Sequence, residues 1–251
     1  MPYFQRLSAD EIAWHARHLH WRVDATAPIV KARPVADGSG MQVLVYLRDE
    51  PALFARICGF FGGAGLSIVD AKIHTTRHGY ALDTFAIHDP GNANASYRDT
   101  ISFVEYELAR ALAAHGPLQP PGEGRIPRQL RHFPLTPEIR IFADDKGTHF
   151  ILEVVAGDRP GLLARIAWFL AQADINVVSA RINTLGERAE DVFLIDGARL
   201  FDEQAMLRFE TALYEELRLP RAPTRYPSAA PASGNSTSVN PNREKSSTRI
   251  G

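Results

Sequence analysis

Cysteine is nearly missing from this chain: Cys58 is the only one in 251 residues. A single thiol excludes any disulfide within the chain and points to a reducing compartment. In a helical segment that carries Ala167 at the matching place further on, Cys58 reads as a small buried filler. Long apolar runs are missing too. None approaches the ~20 residues of a membrane-spanning helix, and the opening MPYFQRLSADE lacks the apolar centre of a signal peptide. The expectation is a cytoplasmic protein with no membrane partner. Charge of one sign is also scarce, with 28 Lys and Arg against 29 Asp and Glu and a net charge of −1. A nucleic-acid partner calls for a basic face, so none is expected. What remains is ordinary for globular protein, 45% hydrophobic and 23% charged, at a length that suits two small domains.

The chain says nearly the same thing twice. Residues 49–76 read DEPALFARICGFFGGAGLSIVDAKIHTT and residues 158–185 read DRPGLLARIAWFLAQADINVVSARINTL. Aligned, Asp49/Asp158, Pro51/Pro160, Leu53/Leu162, Arg56/Arg165, Ile57/Ile166, Phe60/Phe169, Ala71/Ala180 and Ile73/Ile182 coincide. Such a repeat marks two copies of one structural unit.

Each copy follows one programme. In the second, 149–155 is an apolar strand rich in β-branched residues. Pro160 then stands where helices open. Leu162, Ile166, Phe169 and Ala173 form an apolar helical face closed by Asp174. Residues 175–182 read as a strand, 191–195 as its hairpin partner across a turn containing Gly186, and Met206, Phe209, Leu213 and Leu217 as a further helix. The first copy matches with strand 43–47, helix 53–64, strands 66–74 and 81–87, and helix 97–114. Asp83 aligns with Asp191 at a shift of 108 residues, not the 109 of the preceding segment. Upstream of each copy lies one more short strand, 29–35 before the turn 37–40 and 138–142 before the turn 143–147. A tight hairpin makes that strand the antiparallel neighbour of the next.

The predicted fold is therefore α+β: two ferredoxin-like units, each a permuted β-β-α-β-β-α with a four-stranded antiparallel sheet and two helices on one face. Ahead of them, Ser8 and Glu11 form a capping box, and Leu7 and Ile12 a hydrophobic staple, for a helix ending near Trp21. His15, His18 and His20 in this region have no carboxylate or cysteine to complete a metal site, so they read as packing or solvated histidines. The expected organisation is an N-terminal helix and connector (1–27), a first unit (28–114), a Pro- and Gly-rich linker (115–137), a second unit (138–218) and a Ser-, Pro- and Asn-rich disordered tail (219–251).

The junction Asp158-Arg159-Pro160-Gly161-Leu162-Leu163 carries the chemistry. It joins a strand end to a helix start, whose amides and partial positive charge suit a carboxylate. Gly161 lets a ligand approach the backbone, and Asn176, with Val177 beside it at the start of the next strand, offers an amide. The plainer alternative is that Asp158 caps the helix and Gly161 permits the turn. The first copy offers a weaker second site at Asp49, Glu50, Pro51, Ala52, Leu53 and Ser67, with Ala52 in place of Gly161 and Ser67 in place of Asn176.

DRPGLLARIAWFLAQADINV resembles the motif of the ACT domain, the small-molecule-sensing module of amino-acid metabolism. YFQRLSADEIAWHARHL followed by two such units resembles the C-terminal part of the bifunctional uridylyltransferase/uridylyl-removing enzymes of nitrogen-regulatory protein PII, over residues 3–218. The resemblance implies a regulatory module that senses an amino acid, by family glutamine, and switches the enzyme between adding and removing UMP. It implies ACT pairing, as a homo-oligomer or between the two copies, and PII or catalytic domains in trans as protein partners.

The sequence departs from that family by lacking both catalytic domains. No Gly-Ser motif with paired aspartates is present to hold Mg²⁺, and His88-Asp89 has no partner histidines. No cofactor is therefore expected in this chain, Mg belonging to the absent catalytic domains, and Met1 reads as the start of a fragment or split gene. Two readings stay beside the sensor: the transferase itself, and a stand-alone ACT-repeat protein acting in trans. Ferredoxin-like sheets also bind RNA by stacking bases on aromatics, but strands 66–74 and 175–182 contain no Phe, Tyr or Trp.

Overall fold

Helix α1 (Ala9–Leu19) begins where the sequence supplies its own cap. In the computed structural model, which describes residues 7–35, 38, 40–89, 97–122, 135–197, 200 and 202–218, the Glu11 amide donates to Ser8 Oγ (3.2 Å) and the Ser8 amide to Glu11 Oε2 (2.7 Å). Both halves of the capping box are thus made. The expected disordered tail, most of the linker (123–134) and turn positions 36, 37 and 39 lie outside the described residues.

The first copy runs β1 (Ile29–Pro34), β2 (Met41–Arg48), α2 (Leu53–Gly63), β3 (Ser67–Lys72), β4 (Tyr80–His88) and α3 (Arg98–Ala113). The second runs β5 (Glu138–Ala143), β6 (Phe150–Gly157), α4 (Leu162–Gln172), β7 (Asn176–Arg181), β8 (Thr184–Leu185), β9 (Arg188–Asp196) and α5 (Glu203–Leu217). Strand order is β1-β2-β4-β3 in one sheet and β5-β6-β9-β7 in the other, every pairing antiparallel. The extra N-terminal strand holds the edge beside the first strand of the unit, which is the permuted β-β-α-β-β-α arrangement the hairpins predicted. The second sheet adds a fifth strand, the two-residue β8 on β9. There the Gly186 turn, at φ +64°, lets the hairpin close tightly. Strand β9 starts three residues before its predicted beginning. Arg188 and Glu190 are polar because they stand on the outer face, while Ala189 and Asp191 point inward.

Both units share one core. Inward residues of β2, β4, β6 and β9 pack under α2 and α4, and the apolar cluster runs unbroken through both copies. Phe54 of α2 meets Phe85 of its own sheet and Phe193 of the other, at centroid distances of 6.4 and 6.3 Å. Helices α2 and α4 pack on each other, and edge strands β3 and β7 adjoin. At the other edges, an α3 glutamate accepts a β1 amide (Ala32 N to Glu105 Oε1, 2.8 Å), and an α5 glutamate accepts a β5 amide (Ile141 N to Glu210 Oε1, 3.0 Å). Each satisfies an N–H that an edge strand would leave open.

The two sheets differ on their outer faces. Strand β6 alternates buried and half-buried residues, as a sheet covered on one side should. Strand β2 is buried almost throughout, because α1 covers its second face. Trp14 and Leu19 pack there on Leu44, Tyr46 and Tyr80. Polar contacts fix the docking. Glu11 Oε1 accepts from Lys72 Nζ and Gln42 Nε2, both at 2.6 Å, and Arg33 lies over the Trp14 ring at 4.4 Å. Burial alone would raise the Glu11 carboxyl, but the Lys72 and Ser8 contacts outweigh it and hold the group below its usual value. His15 is a packing histidine: its Nε2 meets Thr84 Oγ1 at 3.1 Å, and burial pushes its pKa down to about 4.

Glu11→Ala removes half the capping box and strands Lys72, so urea denaturation should show a loss of about 2–3 kcal/mol, with faster amide exchange across Ala9–Leu19. Unchanged exchange there would mean that α1 is held by its apolar face alone. The residue before α2 is Ala52 at φ +61°, where the second copy has Gly161 at φ +82°. A side chain in that left-handed region costs about 1–2 kcal/mol, against about 0.5–1 for the freedom of glycine. Ala52→Gly should therefore stabilise by about 0.5 kcal/mol and Gly161→Ala destabilise by about as much. A loss on Ala52→Gly would contradict the strain.

Candidate functional site

The loop that joins β6 to α4 is built by backbone bonds at both ends. The Asp158 amide donates to the Glu187 carbonyl (2.8 Å), and Leu162 N to Arg159 O (3.0 Å), turning the chain into the helix. Gly161 is the residue before the helix, and no side chain caps that end. Asp158 is therefore not the helix cap that the plainer reading of the sequence would make it. Arg159 reaches away to the Leu217 carbonyl at the end of α5 (3.2 Å), and Arg165 pairs with Glu216 (3.0 Å). The first bond fastens the loop and the second the start of α4 to α5, and burial lowers the Arg159 pKa.

A cavity of about 380 Å³ opens at this loop. Asp158, Arg159, Pro160, Gly161, Leu162 and Leu163 line one side of it. The opposite side comes from the other copy: Cys58 and Gly62 of α2, then residues 65–69, including Ser67, and His88. Ala164, Ile182, Thr184, Ala189 and Asp191 complete it. The corresponding loop of the first copy, with Asp49, Glu50, Pro51 and Ala52, lines a cavity of about 340 Å³ with Ala171, Asp174, Ile175 and Asn176 of the second.

The geometry thus regroups the residues named from the sequence. Asn176 lies across from Asp49, and Ser67 lies across from Asp158. The cause is the packing of α2 on α4, which run antiparallel and set each helix start beside the other helix's end and the strand that follows it. Val177 and Leu53 line neither cavity. They are buried, Val177 against Ile195 in the ladder and Leu53 in the common core.

The first-copy loop differs in its chemistry. Thr75 Oγ1 donates to Asp49 Oδ2 (2.9 Å), and His115 Nδ1 and Arg56 Nε stand 3.0 and 3.6 Å from the Glu50 carboxylate. Its carboxylates are engaged within the first copy and its flanking segment. In the second copy burial raises the Asp158 pKa.

Sequence reasoning missed Asp191 as a site residue. It is 2% exposed, its Oδ1 accepts the Asn183 amide (3.3 Å), and burial pushes its pKa up to about 7. Its repeat partner Asp83 does the same for the His74 amide (3.1 Å), with a pKa raised by burial to about 8. The signal was available: a carboxylate at the same apolar-flanked strand position in both copies. Cys58 lies among these groups, and burial, with Asp83 and Asp191 near, holds it as a thiol. Among the described residues no group of three or more His, Cys, Asp or Glu could hold a metal ion, and no helix is long and apolar enough to cross a membrane.

The sequence profile of the ACT domain matches residues 150–207. The chain is 55% identical over 217 residues to the bifunctional uridylyltransferase/uridylyl-removing enzyme of Chromobacterium violaceum, covering 86% of this chain and 25% of that protein. It is 51% identical over 220 residues to the enzyme of the same name from Ralstonia nicotianae, covering 86% of this chain and 26% of that protein. An aspartate kinase from Synechocystis aligns with a TM-score of 0.40 and 15% identity, over 72% of this chain and 27% of that one. The chain spans about a quarter of the length of the curated relatives it matches. Over most of its length it is similar to the bifunctional uridylyltransferase/uridylyl-removing enzymes, and it fits their C-terminal ACT-domain region.

Proposed function

We propose that this chain is a regulatory, amino-acid-sensing tandem ACT module, with glutamine as its ligand, and that it governs the uridylylation and deuridylylation of PII by catalytic domains joined to it or supplied in trans. The observation that carries the reading is the 380 Å³ cavity whose walls come from both copies. Its volume suits one small polar molecule. The ligand carboxylate sits against the first turn of α4, where amides lack helical partners and the helix dipole favours negative charge. The ammonium group faces Asp158. The side-chain amide reaches Ser67 and the start of β3 on the first copy.

This division of contacts gives the ligand a means of regulation. A molecule can shift a conformational equilibrium only by binding one arrangement more tightly than another. With half of the contacts on each copy, binding favours the arrangement in which the copies are seated as described here. The drifted first copy then acts as a wall of the better-equipped site.

Calorimetry with glutamine, glutamate and asparagine tests the reading. Glutamine should bind most tightly, and Asp158→Ala should weaken it by about tenfold or more, the loss expected of one charged contact. Absence of heat with any amino acid at millimolar concentration would overturn the sensing function, and full affinity in Asp158→Ala would overturn the site.

A further inference from the structure

Asp191 is a carboxyl group at 2% exposure that nonetheless lines the 380 Å³ cavity. Its position is set by the ladder. Asp191 lies opposite Val154 of β6, on the inner face of β9 between Ala189 and Phe193, and its Oδ1 accepts the Asn183 amide. The cavity is where this buried side chain can meet a ligand.

The groups facing it are few and carry little positive charge. Asp158 stands on the β6–α4 loop, Cys58 on α2 and His88 at the end of β4. Arg159, on the same loop as Asp158, directs its guanidinium to the Leu217 carbonyl. Asp83, the repeat partner of Asp191 on β4, is 1% exposed and stays outside the cavity lining. Two carboxyl groups, Asp158 and Asp191, thus share one cavity with a helix start. The helix start suits the anionic end of a zwitterion, and the carboxyl pair suits a cationic end.

We propose that Asp191 is a ligand-binding residue that receives the α-ammonium group of the amino acid and gives up its own proton as it does so. The inference rests on the amino-acid reading of the same cavity and adds a second carboxylate contact and a proton to it. The proton balance is simple. In the free protein the buried Asp191 carboxyl is held protonated at mildly acidic pH, since burial disfavours its charged form and brings its pKa to about 7. An ammonium ion placed against it favours the carboxylate. The ligand keeps its own charge, the O–H bond of Asp191 breaks, and the proton leaves to buffer. Burial raises the Asp158 carboxyl as well.

The sign follows from the direction of the shift. Below pH 7 the ligand must displace a proton from Asp191, so apparent affinity falls as pH falls. For a group with a pKa near 7, affinity at pH 6 should be about tenfold weaker than at pH 8.

The test is calorimetry of the intact chain with glutamine, at pH 6.5, in buffers of differing ionisation enthalpy, together with affinity at pH 6, 7 and 8. The expected results are release of more than half a proton per ligand at pH 6.5 and the tenfold change in affinity. Asp191→Asn keeps the carbonyl oxygen that accepts the Asn183 amide. It should bind more weakly and lose both the proton release and the pH dependence. Asp83→Asn, outside the cavity lining, should retain them. If Asp191→Asn fails to fold, the wild-type buffer series decides alone. Binding with no proton exchange and equal affinity from pH 6 to 8 would overturn the role of Asp191 and leave the sensing function standing. Glutamine binding abolished by Asp158→Ala but unaltered by Asp191→Asn would do the same.

Discussion

The packing of α2 against α4 is the contact on which the rest of this structure depends. It is a small-residue seam: a Cβ added to Gly62 would stand 3.4 Å from Ala164 Cβ. Close approach of two antiparallel helices merges two small cores into one and lets Phe54 reach Phe193 in the opposite sheet. A unit of ~80 residues alone buries a modest fraction of its surface, and sharing the core raises that fraction for both copies. The same seam sets each helix start against the end of the other helix, so the cavities exist only where two copies meet.

The copies are alike in core and unlike in cover. Helix α1 shields the outer face of the first sheet and is fixed there by Glu11, Lys72, Gln42 and the Trp14–Arg33 contact. The matching face of the second sheet holds exposed Phe142 and Val192 and the ion pairs Arg140–Glu153 and Arg188–Glu190. The helix starts differ as well. Gly161 takes a left-handed conformation freely, and Ala52 is forced into it. The carboxylates of the first-copy loop stand beside Thr75, His115 and Arg56 as well as lining their cavity, and Asp158 lines the other.

Much of the fold was legible because local signals agreed with one another. The capping box at Ser8 and Glu11, the matched apolar positions of α2 and α4, and the hairpins ahead of β2 and β6 each led to the element found. The pairing of site residues was not legible. Asn176 follows Asp158 by one helix, so sequence proximity placed them together, and only the docking of α2 on α4 reveals that they belong to different cavities. Val177 and Leu53 flank the motif yet turn inward, as the alternation of a strand and the phase of a helix require. Asp191 was hidden for another reason. A buried acid in an apolar strand breaks the binary pattern, and its meaning depends on a cavity whose other wall comes from residues more than a hundred positions away.

The central claim is that one amino-acid site is built from both copies at once. Backbone amide resonances recorded during titration with glutamine test it most directly. The account predicts that amides of residues 158–163 in the second copy and 65–69 in the first shift together, with a single binding curve. Shifts confined to the second copy, with residues 65–69 unmoved at saturation, would contradict it.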